Sequence, residues 1–204
     1  MDDRERWLKL WGRIGARGDG GAVFDDLRQR YSEAQRAYHN LQHIEFCLEE
    51  FDLVRSLCAE PEQVEAAIWF HDAIYDPKEK DNEERSAQLA AEVLRAAGAG
   101  DELINQVQRL ILATKHTAAA QDEQTAILLD IDLAILGRSA AEFDAYEKAI
   151  RMEYDWVPAE KYREGRGAVL RGFLARQQIY ATSYFREKYE ETARENITQA
   201  LERL

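Results

Sequence analysis

Apolar residues recur three and four positions apart along almost the whole chain, and only rarely do they alternate with polar ones. Trp7, Leu8, Leu10, Trp11 and Ile14 outline one such stripe, and Ile44, Leu48, Phe51 and Val54 another. This spacing gathers side chains on one face of a helix with 3.6 residues per turn, whereas a half-buried strand needs a period of two. β-Branched residues are sparse as well. The pattern predicts an all-α fold, a helical bundle. Its 204 residues, three prolines (Pro61, Pro77, Pro158) and lack of a long Gly/Ser tract give no sign of a linker, so residues 1–204 read as a single domain.

Several helix boundaries are written into the chain. Pro61 fits a first helical position, where its missing N–H costs nothing. Asp81 with Glu84 predicts a capping box opening a helix over 83–97; Gly98 and Gly100 would end it, and Asp101 would cap the next. Gly137 followed by Ser139 and Glu142 reads as a stop and a second capping box. Pro158 opens a long terminal stretch, broken near Ser183, that runs to Leu204. The aromatic stripe Tyr180, Tyr184, Phe185 and Tyr189 reads as packing.

Acidic residues outnumber basic ones by 39 to 27, a net charge of −12. That balance argues against non-specific nucleic-acid binding, which depends on Lys and Arg neutralising phosphates. A small anionic substrate stays compatible with it, because a bound cation and a few local cations can reverse the potential inside a pocket. No stretch has signal-peptide character, and the longest apolar run, 66–70, is far too short to span a bilayer. Cys47 and Cys58 have no metal-type or redox-type spacing and read as free thiols. The expectation is a cytoplasmic protein with no membrane association.

The chain has only four histidines: His39, His43, His71 and His116. His39 and His43 stand in Tyr38-His39-Asn40-Leu41-Gln42-His43, and on a helix this spacing would put both imidazoles on one face. His71 and Asp72 are adjacent within the apolar run Ala66 to Ile74. An ionised carboxylate there is costly unless paired or bound to a cation. A buried His–Asp hydrogen bond or a helix-end cap explains the doublet about as well as a metal does. The segment Leu128 to Ala134 tips the balance towards metal, because it again places acids, Asp130 and Asp132, among aliphatics with no cation before Arg138.

An isolated His, a His-Asp doublet some thirty residues later and a distant Asp near a Leu resemble, in that order, the HD superfamily of metal-dependent phosphohydrolases. The first block is similar to the Tyr-His-Asn-x-x-His segment of cyclic-nucleotide phosphodiesterases. Trp69 to Tyr75, Asn82 to Ala87 and Leu129 to Gly137 resemble a bacterial family of uncharacterised predicted HD phosphohydrolases, a likeness covering most of the chain. The resemblance implies an HD-type helical domain with its metal-binding core at about 36–137 and helices of 139–204 packed on it. It implies His43, His71 and Asp72 as metal ligands, with Asp132 as the fourth and Asp130 as the alternative.

The catalytic residues it implies are His39, protonating a leaving oxygen, and Asp72, helping to orient a water. Further candidates around a substrate are His116, Lys115, Asp76, Glu83, Arg163 and Arg166. Glu84 reads rather as a capping partner and Lys115 equally as a solvated helix-end cation. The two arginines read more readily as paired with neighbouring glutamates than as phosphate contacts. The implied cofactor is one divalent ion (Mn, Ni, Co, Fe, Zn or Mg), with a second compatible. Two imidazoles and two carboxylates suit the first five better than Mg, which prefers an all-oxygen shell. The expected activity is hydrolysis of a small phosphorylated substrate, a nucleotide among the candidates. A non-catalytic regulatory protein binding a metal or nucleotide in the same pocket is the alternative, and a di-iron oxygenase would need more histidines. Substrate, oligomeric state (a homo-oligomer included) and native metal stay open.

Overall fold

The structure is a computed structural model that describes residues 2–204. Among these residues there are ten α-helices and no strand: α1 (Asp3–Arg13), α2 (Gly20–Arg30), α3 (Leu41–Val54), α4 (Pro61–Phe70), α5 (Asn82–Ala96), α6 (Asp101–Ala113), α7 (Glu123–Asp132), α8 (Ala140–Glu153), α9 (Ala159–Ala175) and α10 (Ser183–Arg203). Short 3₁₀ turns follow α3 at Arg55–Leu57 and α7 at Leu133–Gly137. None of these helices is long and apolar enough to cross a membrane.

Helix α4 is the axis of the fold. Pro61 opens it at a position where the backbone donor is not needed. Every residue from Gln63 to Phe70 is buried, because α1, α3, α5, α6 and α7 all pack against it. Removing side chains such as Ile68, Trp69 and Phe70 from water favours folding by roughly 1.5–3 kcal/mol each. Trp7 meets Trp69 and Phe70 edge-on at centroid distances of 5.7 and 5.8 Å, and Phe24 meets Trp69 at 5.9 Å. These contacts fix α1 and α2 to α4 in the geometry that ring quadrupoles prefer. The one acid buried within α4, Glu65, is engaged by Arg6 at 2.8 Å, by Arg13 at 2.9 Å and by Arg55.

Local signals and tertiary contacts part company at a few boundaries. Gly98, at φ +74°, closes α5 as expected, with Gly98 N donating to Arg95 O and Ala99 N to Leu94 O, both at 3.0 Å. This is the doubly bonded helix stop that a left-handed glycine allows. The box expected at the start of α5 does not form: Asp81 makes no side-chain cap bond, and Glu84 pairs with Lys115 beyond α6. Asp101 is the first helical residue rather than the cap, which is Gly100; there the acid still faces the positive end of the helix dipole. The Ser139–Glu142 box is complete. His39 lies outside α3, since Asn40 accepts from Gln42 N at 2.9 Å and His43 N at 3.4 Å and so starts the helix after it.

Helix α10 crosses the 3₁₀ turn Leu133–Gly137 at the closest approach in the molecule that a glycine permits. A Cβ on Gly137 would lie 2.4 Å from Tyr189 Cβ and 2.8 Å from the Tyr189 carbonyl oxygen. The neighbour includes backbone, so relief requires α10 itself to shift. Gly137→Ala is expected to lower stability by about 1–3 kcal/mol, the usual cost of overpacking. Urea unfolding measures it; an unchanged midpoint would show that α10 can give way freely.

Candidate metal centre

Four side chains from three helix ends meet at one point. His43 stands in the first turn of α3, His71 and Asp72 follow the last residue of α4, and Asp132 ends α7. His43 Nε2 is 3.2 Å from His71 Nε2 and 3.3 Å from Asp132 Oδ1. His71 Nε2 is 3.6 Å from the same oxygen and 3.1 Å from Asp72 Oδ2, which lies 3.6 Å from His43 Nε2. One ligand atom from each of His43, His71 and Asp132 can be chosen so that all lie within 4.8 Å of one another, close enough to share a cation.

The chemistry of the donors fits such an ion. His71 Nδ1 lies 2.9 Å from the Ile68 carbonyl, which can only accept. The proton therefore sits on Nδ1, and in the neutral ring Nε2 turns its lone pair to the cluster. Burial opposes charge on His71, yet Asp72 and Asp132 outweigh it and hold its pKa well above the usual value. Asp132 lies well below its usual range: burial works against ionisation, but hydrogen bonds from His116, His43 and His71 prevail. Asp72 is lowered in the same sense, its burial overcome first by His71. A field that draws protons onto imidazoles in this way would also draw a divalent cation.

Asp132 faces two ways. Its second oxygen lies 2.8 Å from His116 Nε2. His116 has φ +53°, a left-handed conformation uncommon outside glycine that concentrates where the surroundings demand it. Its carbonyl accepts from Arg176 at 3.2 Å. Asp130, two residues earlier, projects elsewhere: its oxygens accept from Ala181 N and Thr182 N, both at 2.7 Å. The alternative ligand is thereby occupied in holding the approach to α10, and Asp132 alone of the two acids joins the histidines.

His39 reaches the same cleft through a partner the sequence does not advertise. Glu153, buried at the end of α8, accepts from His39 Nδ1 at 2.6 Å, His39 N at 2.9 Å, Tyr38 N at 2.7 Å and the Tyr75 hydroxyl at 2.8 Å. Burial alone would raise the Glu153 pKa, but these donors, His39 first, bring it down to about 2. His39 moves the opposite way: burial disfavours its charge, but the Glu153 bond together with the nearby Asp72 and Asp132 carboxylates more than compensates, leaving its pKa raised. The imidazole also stacks on Tyr75 at 4.2 Å. A glutamate ending an amphipathic helix ordinarily reads as solvated, so only the long-range contact reveals it.

Asp72 and Asp132 of the centre line a cleft of about 360 Å³ that also takes in His39, Glu83, Lys115, His116 and Arg166. Tyr38, Tyr75, Tyr146, Tyr154 and Phe173 form its aromatic wall. Lys115 and Arg166 are both engaged, Lys115 by Glu84 and Arg166 by Glu147 and, at 2.9 Å, the Tyr146 hydroxyl. Asp76 is not part of the cleft lining; its Oδ1 accepts from Lys78 N at 3.0 Å and shapes the turn before α5. Arg163, one turn before Arg166, faces a different cleft.

The two neighbouring acids are expected to separate cleanly on substitution. Asp132→Asn should weaken Mn or Zn binding more than tenfold by calorimetry. Asp130→Asn should leave metal affinity in place and instead cost about 1.5–3 kcal/mol of stability, because a buried carboxylate accepting from two amides is lost. Equal metal affinities in the two variants would refute this division. No protein-family model, no curated protein and no solved structure matches the chain.

Proposed function

We propose that this protein is a metal-dependent phosphoester hydrolase of HD type, acting on a small phosphorylated substrate. The observation that carries the reading is the meeting of the buried His43 and His71 with Asp72 and Asp132, two acids that line a cleft, with a separate histidine, His39, lining the same cleft. A divalent cation held by those four side chains would supply Lewis-acid activation of a water and of a phosphoryl oxygen. The mixed imidazole and carboxylate set favours Mn, Fe, Co, Ni or Zn.

The remaining roles belong to the protein's own groups. Glu153 fixes the His39 ring by its Nδ1, which leaves Nε2 for the cleft, and it shifts the ring towards its charged form. An imidazolium so placed can protonate a leaving oxygen, a contribution typically of 10²–10⁴-fold. His116 restrains Asp132 through the oxygen that does not face the histidines. The aromatic wall excludes water from one side and gives the organic part of a substrate an apolar surface.

Metal-reconstituted protein assayed against mononucleotides, cyclic nucleotides and aryl phosphates tests the proposal. Turnover should require metal and vanish in His71→Ala. His39→Ala should lose about 10²–10⁴-fold on substrates with alkoxide leaving groups and far less on nitrophenyl esters, whose leaving group needs no proton. Ligand-dependent melting shifts without turnover of any ester would instead favour a regulatory binding protein. The pH profile carries a second expectation. A protonated His39 is the active form, and Glu153 raises its pKa, so activity falls as pH rises through that pKa. Glu153→Gln should move the high-pH limb of kcat/KM to lower pH; an unmoved limb would mean that another group sets it.

A further inference from the structure

The two arginines of α9 serve different clefts. Arg166 is absorbed into the wall of the metal cleft, whereas Arg163 lines a second cleft of about 430 Å³ between α8, α9 and α10. Lys148 and Arg151 of α8 and Arg203 of α10 border the same space. Four cations from three helices therefore converge in a chain whose net charge is −12.

The acids of this cleft are already engaged, Asp144 with Arg203 at 2.8 Å and Glu147 with Arg166. Arg151 is fixed from behind by the carbonyls of Tyr154 and, at 3.2 Å, Val157, and its guanidinium lies 4.6 Å from the Tyr162 ring centroid. Lys148 and Arg163 have no carboxylate partner among the described residues. Lys148 and Arg151 stand three residues apart on one helix face, where like charges repel. Such a group of cations, two of them unneutralised, lowers its energy by taking an anion. Ala159 and the buried Ala200 add apolar lining, and the Tyr162 hydroxyl is buried there without a partner. The size of this open cleft and the acidic surroundings suit a single phosphate group on a small molecule and disfavour an extended polyanion.

We propose that this second cleft binds the phosphate group of a small phosphorylated ligand, with Arg163 and Lys148 as the principal contacts and Arg151 as a preset third. Its position gives the ligand a route to the metal cleft. Glu147 lines the second cleft and holds Arg166, which lines the first, so the two occupants would be separated by one ion pair.

The test uses metal-free protein, so that binding at the metal centre does not contribute. Calorimetric titration with pyrophosphate and with inorganic phosphate, at fixed ionic strength, should give one site. The affinity should fall at least tenfold in Lys148→Glu/Arg163→Glu and stay unchanged in His71→Ala. The reversed side chains are exposed, and far-UV circular dichroism checks that the fold is kept. An equal charge change at distant helix ends, Arg28→Glu/Arg95→Glu, should have less than a twofold effect. Absence of binding at millimolar concentration, equal losses in the two double variants, or loss in His71→Ala alone would each overturn the proposal.

Discussion

What organises this molecule is the need of buried carboxylates for positive partners. Glu65 in α4 has three arginines, Glu50 has Lys188 and the Tyr189 hydroxyl, Asp130 has two backbone amides, and Glu153 has four donors. Each carboxylate is thereby neutralised or fully hydrogen-bonded, as burial requires. Asp72 and Asp132 differ. They face imidazoles only, groups whose ring nitrogens can exchange a proton for a cation. The rest of the fold serves to bring these two acids together, since α4 and α7 end at them and α4 is clamped on every side.

The sequence made much of this legible, for reasons of range. Apolar periodicity is local, so the helices around Trp7, Ile44 and Val64 could be read directly. An unpartnered acid in an apolar run is also a local anomaly, which is why His71-Asp72 and Asp132 stood out. Glu153 did not, because its partner His39 lies 114 residues away and nothing near Glu153 marks it. The same limit explains Glu84, whose link to Lys115 spans 31 residues and defeats a capping box that fits the local pattern. His39 and His43 are neighbours as expected, but across a helix start instead of along a helix: Asn40 competes for the first amides and wins. Of Arg163 and Arg166, both read as paired with neighbouring glutamates, only Arg166 has such a partner among the described residues, and residues one turn apart on the same helix open onto different clefts.

The division of labour between the halves of the chain also changes. The histidines and the acids around the centre come from residues 39–132, which suggests a self-sufficient core with later helices packed on it. Yet Glu153 orients His39 from the end of α8, and Tyr146, Tyr154 and Phe173 line the cleft. The surroundings of His39 therefore draw on the C-terminal helices, while the cluster of His43, His71 and Asp132 comes from the earlier part of the chain.

The close crossing of α10 over Leu133–Gly137 has a thermodynamic consequence. Tyr180 donates to the Leu133 carbonyl at 3.0 Å, and Asn196 donates to the Leu136 and Arg138 carbonyls at 2.9 and 2.8 Å. The residues that directly follow Asp132 are thus held by the last third of the chain. By linkage, an ion that binds only the folded state stabilises everything that must fold for its site to exist, by about 2.7 kcal/mol at a hundred times its Kd. That gain would reach α10, which contributes no ligand, as fully as α3, which contributes one. Occupancy of the centre by such an ion and order at the C-terminus would then be two readings of a single equilibrium.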